Sequence, residues 1–341
     1  MASKIKVLIV DDSVVYRELL RKGLNEVPGI EVVATAIDPY DARDKLLKYR
    51  PDVMVCDIEM PKMNGLTFLR KVLPQYPIPT IVISSLDNAA FEAMEAGAVD
   101  FVGKCASDKK RNQEEFVMQV AEKVKIAKDS KVLARKTRTT EVVSGINKGK
   151  IGATKVELIA LGASTGGTEA LASVIAKLPN NIPGIVIVQH IPPMFSTMFA
   201  QRINRSTDFE VMEATTGDEV RRGRILIAPG DKQMRVVRKN GKLVVEVKEG
   251  PKVSGHCPSV DVLFQSVAET VGSKAVGVIM TGMGADGAKG LLAMRQNGAQ
   301  TIGQDEESCV VYGMPKEAYK MGAVQKQASL MNIPRSILEM L

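Results

Sequence analysis

Residues 5–12 read IKVLIVDD. A short apolar run that stops on two acids fits a strand buried on both faces, with its end at solvent. It is too short, and too abruptly acidic, for a signal peptide. The same pattern recurs outward from it. Further runs lie at 31–36 (EVVATA), 52–56 (DVMVC), 79–84 (PTIVIS) and 99–103 (VDFVG). Over 113–128 the apolar positions Phe116, Val117, Val120, Val124 and Ala127 fall at helical spacing. Strand alternating with helix predicts a parallel sheet with helices on both faces.

The alternation stops over 129–154, where Lys, Arg, Ser, Thr and Gly occur with little periodicity. It resumes at 155, with strands predicted at 157–161, 185–189, 224–228, 243–247, 275–280 and 299–303. Helices are predicted at 167–177, 195–204, 258–271, 286–296 and 315–321, and the Gly-punctuated stretch 211–255 predicts β-hairpins. A chain of 341 residues is long for one core. The expected fold class is therefore α/β with two doubly wound parallel-sheet domains, at 4–125 and 155–341, joined by a flexible basic linker at 126–154.

Hydrophobic residues at 45% and charged residues at 25% are ordinary for a soluble globular chain. No apolar run approaches the roughly 20 residues that span a bilayer, so a cytoplasmic protein without membrane insertion is expected. The net charge of +7 invites a nucleic-acid partner, but its location argues against one. Lys128, Lys131, Arg135, Lys136, Arg138, Lys148, Lys150 and Lys155, against Asp129 and Glu141, give one segment a net +6. The basicity thus belongs to the linker, and no nucleic-acid binding is expected. Cys56, Cys105, Cys257 and Cys309 form no C-x-x-C pair and read as reduced structural thiols.

Ligands of open parallel sheets bind beyond the carboxyl ends of the strands. In the first half those ends carry Asp11-Asp12, Asp57 and Ser84, and the fifth strand leads to Lys104. Clustered carboxylates suit a hard, oxygen-liganded cation such as Mg²⁺. Asp57 could then act as a carboxylate nucleophile forming an aspartyl phosphate, with Lys104 and Ser84 on the phosphoryl oxygens. Each residue alone would be read as a polar strand cap; five on successive strand ends read as a site.

In the second half the first strand runs into Gly162-Ala163-Ser164-Thr165-Gly166-Gly167, a G-x-S-x-G turn that presents a hydroxyl. A Gly-rich turn can equally cradle a dinucleotide, but such a site wants an acid at the end of the next strand. That position holds His190, a base candidate for Ser164. The strand at 275–280 leads to Thr281-Gly282-Met283-Gly284-Ala285-Asp286-Gly287, which offers Asp286 to orient the imidazole. Backbone amides near Thr165 and Met283 are the oxyanion candidates. The plain alternatives are that Ser164 caps a helix, that His190 is structural and that Asp286 caps the helix at 286–296. The other histidine, His256, has no second base role here; substrate contact and a structural role both stay open.

The motifs VLIVDDS, PDVMVCDIEMPKMNGL, TIVISS and GAVDFVGK resemble response-regulator receiver domains over 4–125. The resemblance implies a flavodoxin-like fold, a Mg²⁺ site at Asp12 and Asp57 assisted by Asp11 and the Glu59 carbonyl, and a phospho-switch through Ser84 and Phe101. Two departures stand out. Cys105 follows Lys104 where receivers usually carry proline, and the short segment after Ser85 predicts a trimmed fourth helix.

The motifs IALGASTGGTEAL, VIVQHIPPMF, IAPGDKQM, HCPSVDVLF, VGVIMTGMGADGAKGLLAM and SCVVYGMPKEA resemble the Rossmann-like catalytic domain of chemotaxis protein-glutamate methylesterases. With a receiver in front, the whole chain is similar to that family. The resemblance implies hydrolysis of γ-glutamyl methyl esters on methyl-accepting chemoreceptors, with release of methanol, and deamidation of receptor glutamines. It also implies a chemotaxis histidine kinase as phosphodonor, a monomer, and no cofactor at the esterase site. A switch and a catalyst in one chain predict that the unphosphorylated receiver restrains the Ser164 site and that phosphorylation at Asp57 releases it.

Overall fold

The computed structural model describes residues 3–61, 63–85, 87–104, 110–130 and 154–341. The chain divides into two compact units, residues 1–140 and 141–341. Most of the predicted linker, and Cys105 with it, lies outside the described residues.

The first unit alternates strand and helix throughout: β1 (Ile5–Val10), α1 (Val14–Glu26), β2 (Ile30–Ala36), α2 (Pro39–Tyr49), β3 (Val53–Asp57), α3 (Gly65–Val72), β4 (Thr80–Ser84), α4 (Asp87–Ala96), β5 (Asp100–Gly103) and α5 (Lys110–Lys128). The five strands form one parallel sheet in the order β2-β1-β3-β4-β5. Every residue of β3 and β4 is buried, as central strands covered on both faces require. Ser13, Asp38 and Asn64 accept backbone N–H bonds at the starts of α1, α2 and α3, so each loop after a strand ends on a helix cap. The fourth helix has ten residues.

The second unit comprises β6 (Leu158–Ala163), α6 (Gly167–Ile175), β7 (Gly184–Gln189), α7 (Pro193–Ser206), β8 (Glu210–Glu213), β9 (Arg224–Ile227), β10 (Gln233–Lys239), β11 (Lys242–Lys248), α8 (Val260–Thr270), β12 (Ala275–Ile279), α9 (Ala288–Gln296), β13 (Gln300–Gln304), α10 (Met314–Lys320), β14 (Lys326–Ala328) and α11 (Ile333–Glu339). Seven strands form a parallel sheet in the order β14-β13-β12-β6-β7-β9-β8, and β10 pairs with β11 as an antiparallel hairpin. The stretch expected to hold several hairpins therefore holds one. β8 instead runs parallel to β9 at the sheet edge. Short strands such as β8 and β14 carry too few apolar residues to stand out in the sequence.

The hairpin and α9 both pack on α8, and Phe264 of α8 is fully buried in this core. A Cβ at Gly290 would lie 2.7 Å from the Phe264 Cβ, so glycine lets α9 approach α8. Cys56 and Cys309 are buried and Cys257 is half-buried, all as free thiols. Among the described residues no helix is long and apolar enough to cross a membrane. Replacing Phe264 with Ala is expected to leave a cavity costing about 3–5 kcal/mol. Urea unfolding of the full chain, read by far-UV circular dichroism, should show that loss in the transition of the second unit.

Candidate functional site

β6 lies between β7 and β12, so the loops leaving these three strands are neighbours at the carboxyl edge of the sheet. Ala163 is in register with Gln189, and Gly162 with Ile279, which brings Ser164 beside His190 on one side and Thr281-Gly282 on the other. The Ser164 amide donates to the Thr281 carbonyl at 2.9 Å, and the Ser164 carbonyl accepts from the Gln189 side-chain amide at 2.8 Å. A Cβ at Gly282 would lie 2.7 Å from the Ser164 Cβ, so only glycine lets this loop pass the serine. Helix α6 is capped by Gly166 in the left-handed region (φ 75°), with no side-chain hydrogen bond at the cap. Ser164 is therefore not spent as a helix cap.

His190 Nε2 lies 2.8 Å from Asp286 Oδ2. Its other nitrogen, Nδ1, is buried and has no hydrogen-bond partner among the described residues. Asp286 does not cap α9, whose cap is Gly287. It instead sits at the N-terminus of α8. Oδ1 accepts from the Ser259 hydroxyl at 2.7 Å and the Asp261 amide at 3.1 Å, and Oδ2 accepts from the Val260 amide at 2.7 Å. Burial pushes the Asp286 carboxyl up, but His190, the Ser259 hydroxyl and the Asp261 amide together hold it below the ordinary carboxylate range. The positive end of α8 favours the same charged form. Asp261, directly behind, is pushed up by burial and by the Asp286 charge.

Thr165 is buried, and its carbonyl accepts from the Thr281 hydroxyl at 3.0 Å. Met283 is exposed, on the loop whose next residue, Gly284, has φ 85°. His256 stacks on His190 with ring centroids 3.7 Å apart and planes 11° from parallel.

In the first unit, the side-chain oxygens of Asp11, Asp12 and Asp57 lie within 4.8 Å of one another. Asp11 and Asp57 are buried, and Asp12 is exposed. Lys104 Nζ lies 2.7 Å from Asp57 Oδ2 and 3.1 Å from Asp11 Oδ2, and 4.7 Å from the centre of the Tyr16 ring. The Glu59 amide donates to Asp57 Oδ1 at 3.3 Å, and the Glu59 carboxylate accepts from the Ser85 hydroxyl. Ser84 ends β4, one strand from Asp57. Phe101 is buried on β5 with its ring 6.1 Å from that of Phe91. Burial pushes the Asp57 carboxyl up to about 6, although the Lys104 ammonium pulls it down. Asp11 is likewise raised by burial. Three carboxylates thus face one ammonium, and an oxygen-only donor set with surplus negative charge fits Mg²⁺.

The chain matches the CheB methylesterase family over residues 159–337 and the response regulator receiver domain over residues 7–114. It belongs to the CheB methylesterase family. The protein-glutamate methylesterase/protein-glutamine glutaminase 2 of Syntrophomonas wolfei is 51% identical over 338 residues, covering 99% of this chain and 98% of that protein. The protein-glutamate methylesterase/protein-glutamine glutaminase of Syntrophotalea carbinolica is 47% identical over 348 residues, covering 100% and 99%. The CheB methylesterase catalytic domain of Thermotoga maritima superposes with a TM-score of 0.53 at 37% identity, covering 55% of this chain and 99% of its own.

Within this family fold, several partners of the site carry little sequence signal. Gln189 and the three donors at Ser259–Asp261 have no sequence pattern that ties them to the site. The one available cue for the latter was Ser259 ahead of an apolar helical run, the pattern of a helix cap.

The raised Asp57 carboxyl has a consequence for stability. Its native pKa lies above the unfolded value, so the folded chain binds more protons between about pH 4 and 6. The ionised carboxylate therefore costs stability above pH 6. Asp57→Asn is expected to stabilise the metal-free protein at pH 8 by up to about 3 kcal/mol, a gain that fades as pH falls from 6 towards 4. Thermal unfolding in chelator across this range checks the sign. A loss at pH 8 would mean that the Lys104 ion pair outweighs burial.

Proposed function

We propose that this chain is a phosphorylation-activated serine hydrolase that removes methyl groups from γ-glutamyl methyl esters of methyl-accepting chemoreceptors and deamidates receptor glutamines. The names of its full-length relatives support both reactions. The observation that carries the mechanism is the His190 ring: Nε2 is engaged by Asp286, while Nδ1 is buried and unpartnered among the described residues, one strand from Ser164.

In this reading Nδ1 takes the Ser164 hydroxyl proton as Oγ bonds to the γ-carbonyl carbon. The carbonyl electron pair moves to oxygen and is stabilised by backbone amides near Thr165 and Met283. The imidazolium, its charge balanced by Asp286, returns the proton to the leaving group. Methanol departs from an ester and ammonia from an amide. Water then repeats the sequence on the acyl-enzyme, releasing glutamate and free Ser164. One site serves both substrates because only the leaving group differs.

The receiver is assigned to 4–125, the linker to 126–154 and the methylesterase domain to 155–341. Asp57 accepts the phosphoryl group from a histidine kinase. Asp11, Asp12, Asp57 and the Glu59 carbonyl would hold Mg²⁺, whose charge would offset the carboxylates and the phosphoryl oxygens. Lys104 pairs with a phosphoryl oxygen, and Ser84 and Phe101 carry the change outward. The protein works as a cytoplasmic monomer with no nucleic-acid partner.

Ser164→Ala is expected to lower methanol release from methylated receptor by about 10⁴-fold or more, with an unchanged circular dichroism spectrum. Retained turnover would remove Ser164 from the role. With a small-molecule phosphodonor and Mg²⁺, the full chain should release methanol faster by roughly fivefold or more, the lower range of allosteric coupling. Asp57→Asn should abolish that rise and leave basal turnover in place. An equal rise in Asp57→Asn would place the switch elsewhere.

A further inference from the structure

We infer that His256 is a positioning residue of the esterase reaction, acting by holding the plane of the His190 imidazole. The inference rests on the assignment of His190 as the base. A hydrogen bond at Nε2 fixes one edge of the His190 ring but leaves it free to swing about that contact. The His256 ring lies flat against it, 3.7 Å away and 11° from parallel, and closes that remaining freedom. Nδ1 is then held in one direction, which is what proton transfer from a neighbouring hydroxyl demands.

His256 is itself fixed by its backbone. Val253 and His256 exchange two backbone hydrogen bonds of 2.9 Å across a two-residue turn, with Ser254 and Gly255 at φ 52° and 87°. The Gln233 side-chain amide donates to the Pro251 carbonyl at 3.0 Å and to the His256 carbonyl at 3.4 Å, and its oxygen accepts from the Ser259 amide at 2.9 Å. Ser259 in turn donates to Asp286. One loop therefore grips the His–Asp pair twice: at the carboxylate through Ser259–Asp261, and at the imidazole face through His256.

The test is steady-state methanol release from methylated receptor by the full chain. Removing the ring in His256→Ala should lower kcat by roughly ten- to a hundredfold, with KM unchanged. His256→Phe keeps a flat ring without nitrogens and should recover most of the lost rate. Thermal unfolding midpoints of both variants matching the parent exclude a folding defect, and Ser164→Ala run alongside reports on the base assignment. Unchanged kcat in His256→Ala, with Ser164→Ala inactive, overturns the positioning role alone. A raised KM with unchanged kcat, or His256→Phe as slow as His256→Ala, overturns it too, because those results describe contact through the ring nitrogens. Full turnover in Ser164→Ala overturns the base assignment and the stack's role with it.

Discussion

The second unit depends on one buried charge, the Asp286 carboxylate. An isolated carboxylate in such a place would be neutralised or expelled. Here it receives a hydroxyl, two backbone amides at the start of α8 and the His190 ring. Those donors are available because α8 starts at the carboxyl edge of the sheet, where its first N–H groups have no helical acceptors. The helix needs an acceptor at its N-terminus and the acid needs donors, and each supplies the other. The imidazole is oriented by a group that packing has already made rigid.

The first unit manages its carboxylates in the opposite way. Asp11 and Asp57 are buried with a single ammonium between them, and burial outweighs that ammonium. The backbone amides that meet them, Ser13 on Asp11 and Glu59 on Asp57, do not offset that burial either. The metal-free acidic cluster is thus destabilised by its own charge, which a bound cation would relieve. The same strand-end geometry thus holds a compensated carboxylate in one unit and an undercompensated cluster in the other.

Much of this was legible in the sequence because parallel strands buried on both faces are written as unbroken apolar runs, and the residue after each run is where a ligand would meet the sheet. Runs such as IKVLIV and ELIAL therefore mark the strands and the strand ends at which the candidate sites lie. The features that escaped are those without a run. β8 and β14 are three or four residues long and half exposed. The sequence offers Asp286 to the imidazole, but not the donors at the start of α8 that hold its carboxylate, because a loop that folds back on an earlier helix leaves no mark in sequence adjacency. For His256 the sequence leaves substrate contact and a structural role both open, because ring stacking leaves no pattern in spacing.

The strand order β12-β6-β7 has a consequence for engineering. Serine leaves the central strand, histidine the strand on one side and aspartate the strand on the other. Their succession along the polypeptide records only the direction in which the chain crossed the sheet. A circular permutation opened between β7 and β12 would present aspartate first and histidine last while keeping every contact around the carboxylate. The order of the three residues along the chain is thus set by the connections, while their proximity is set by which strands are neighbours.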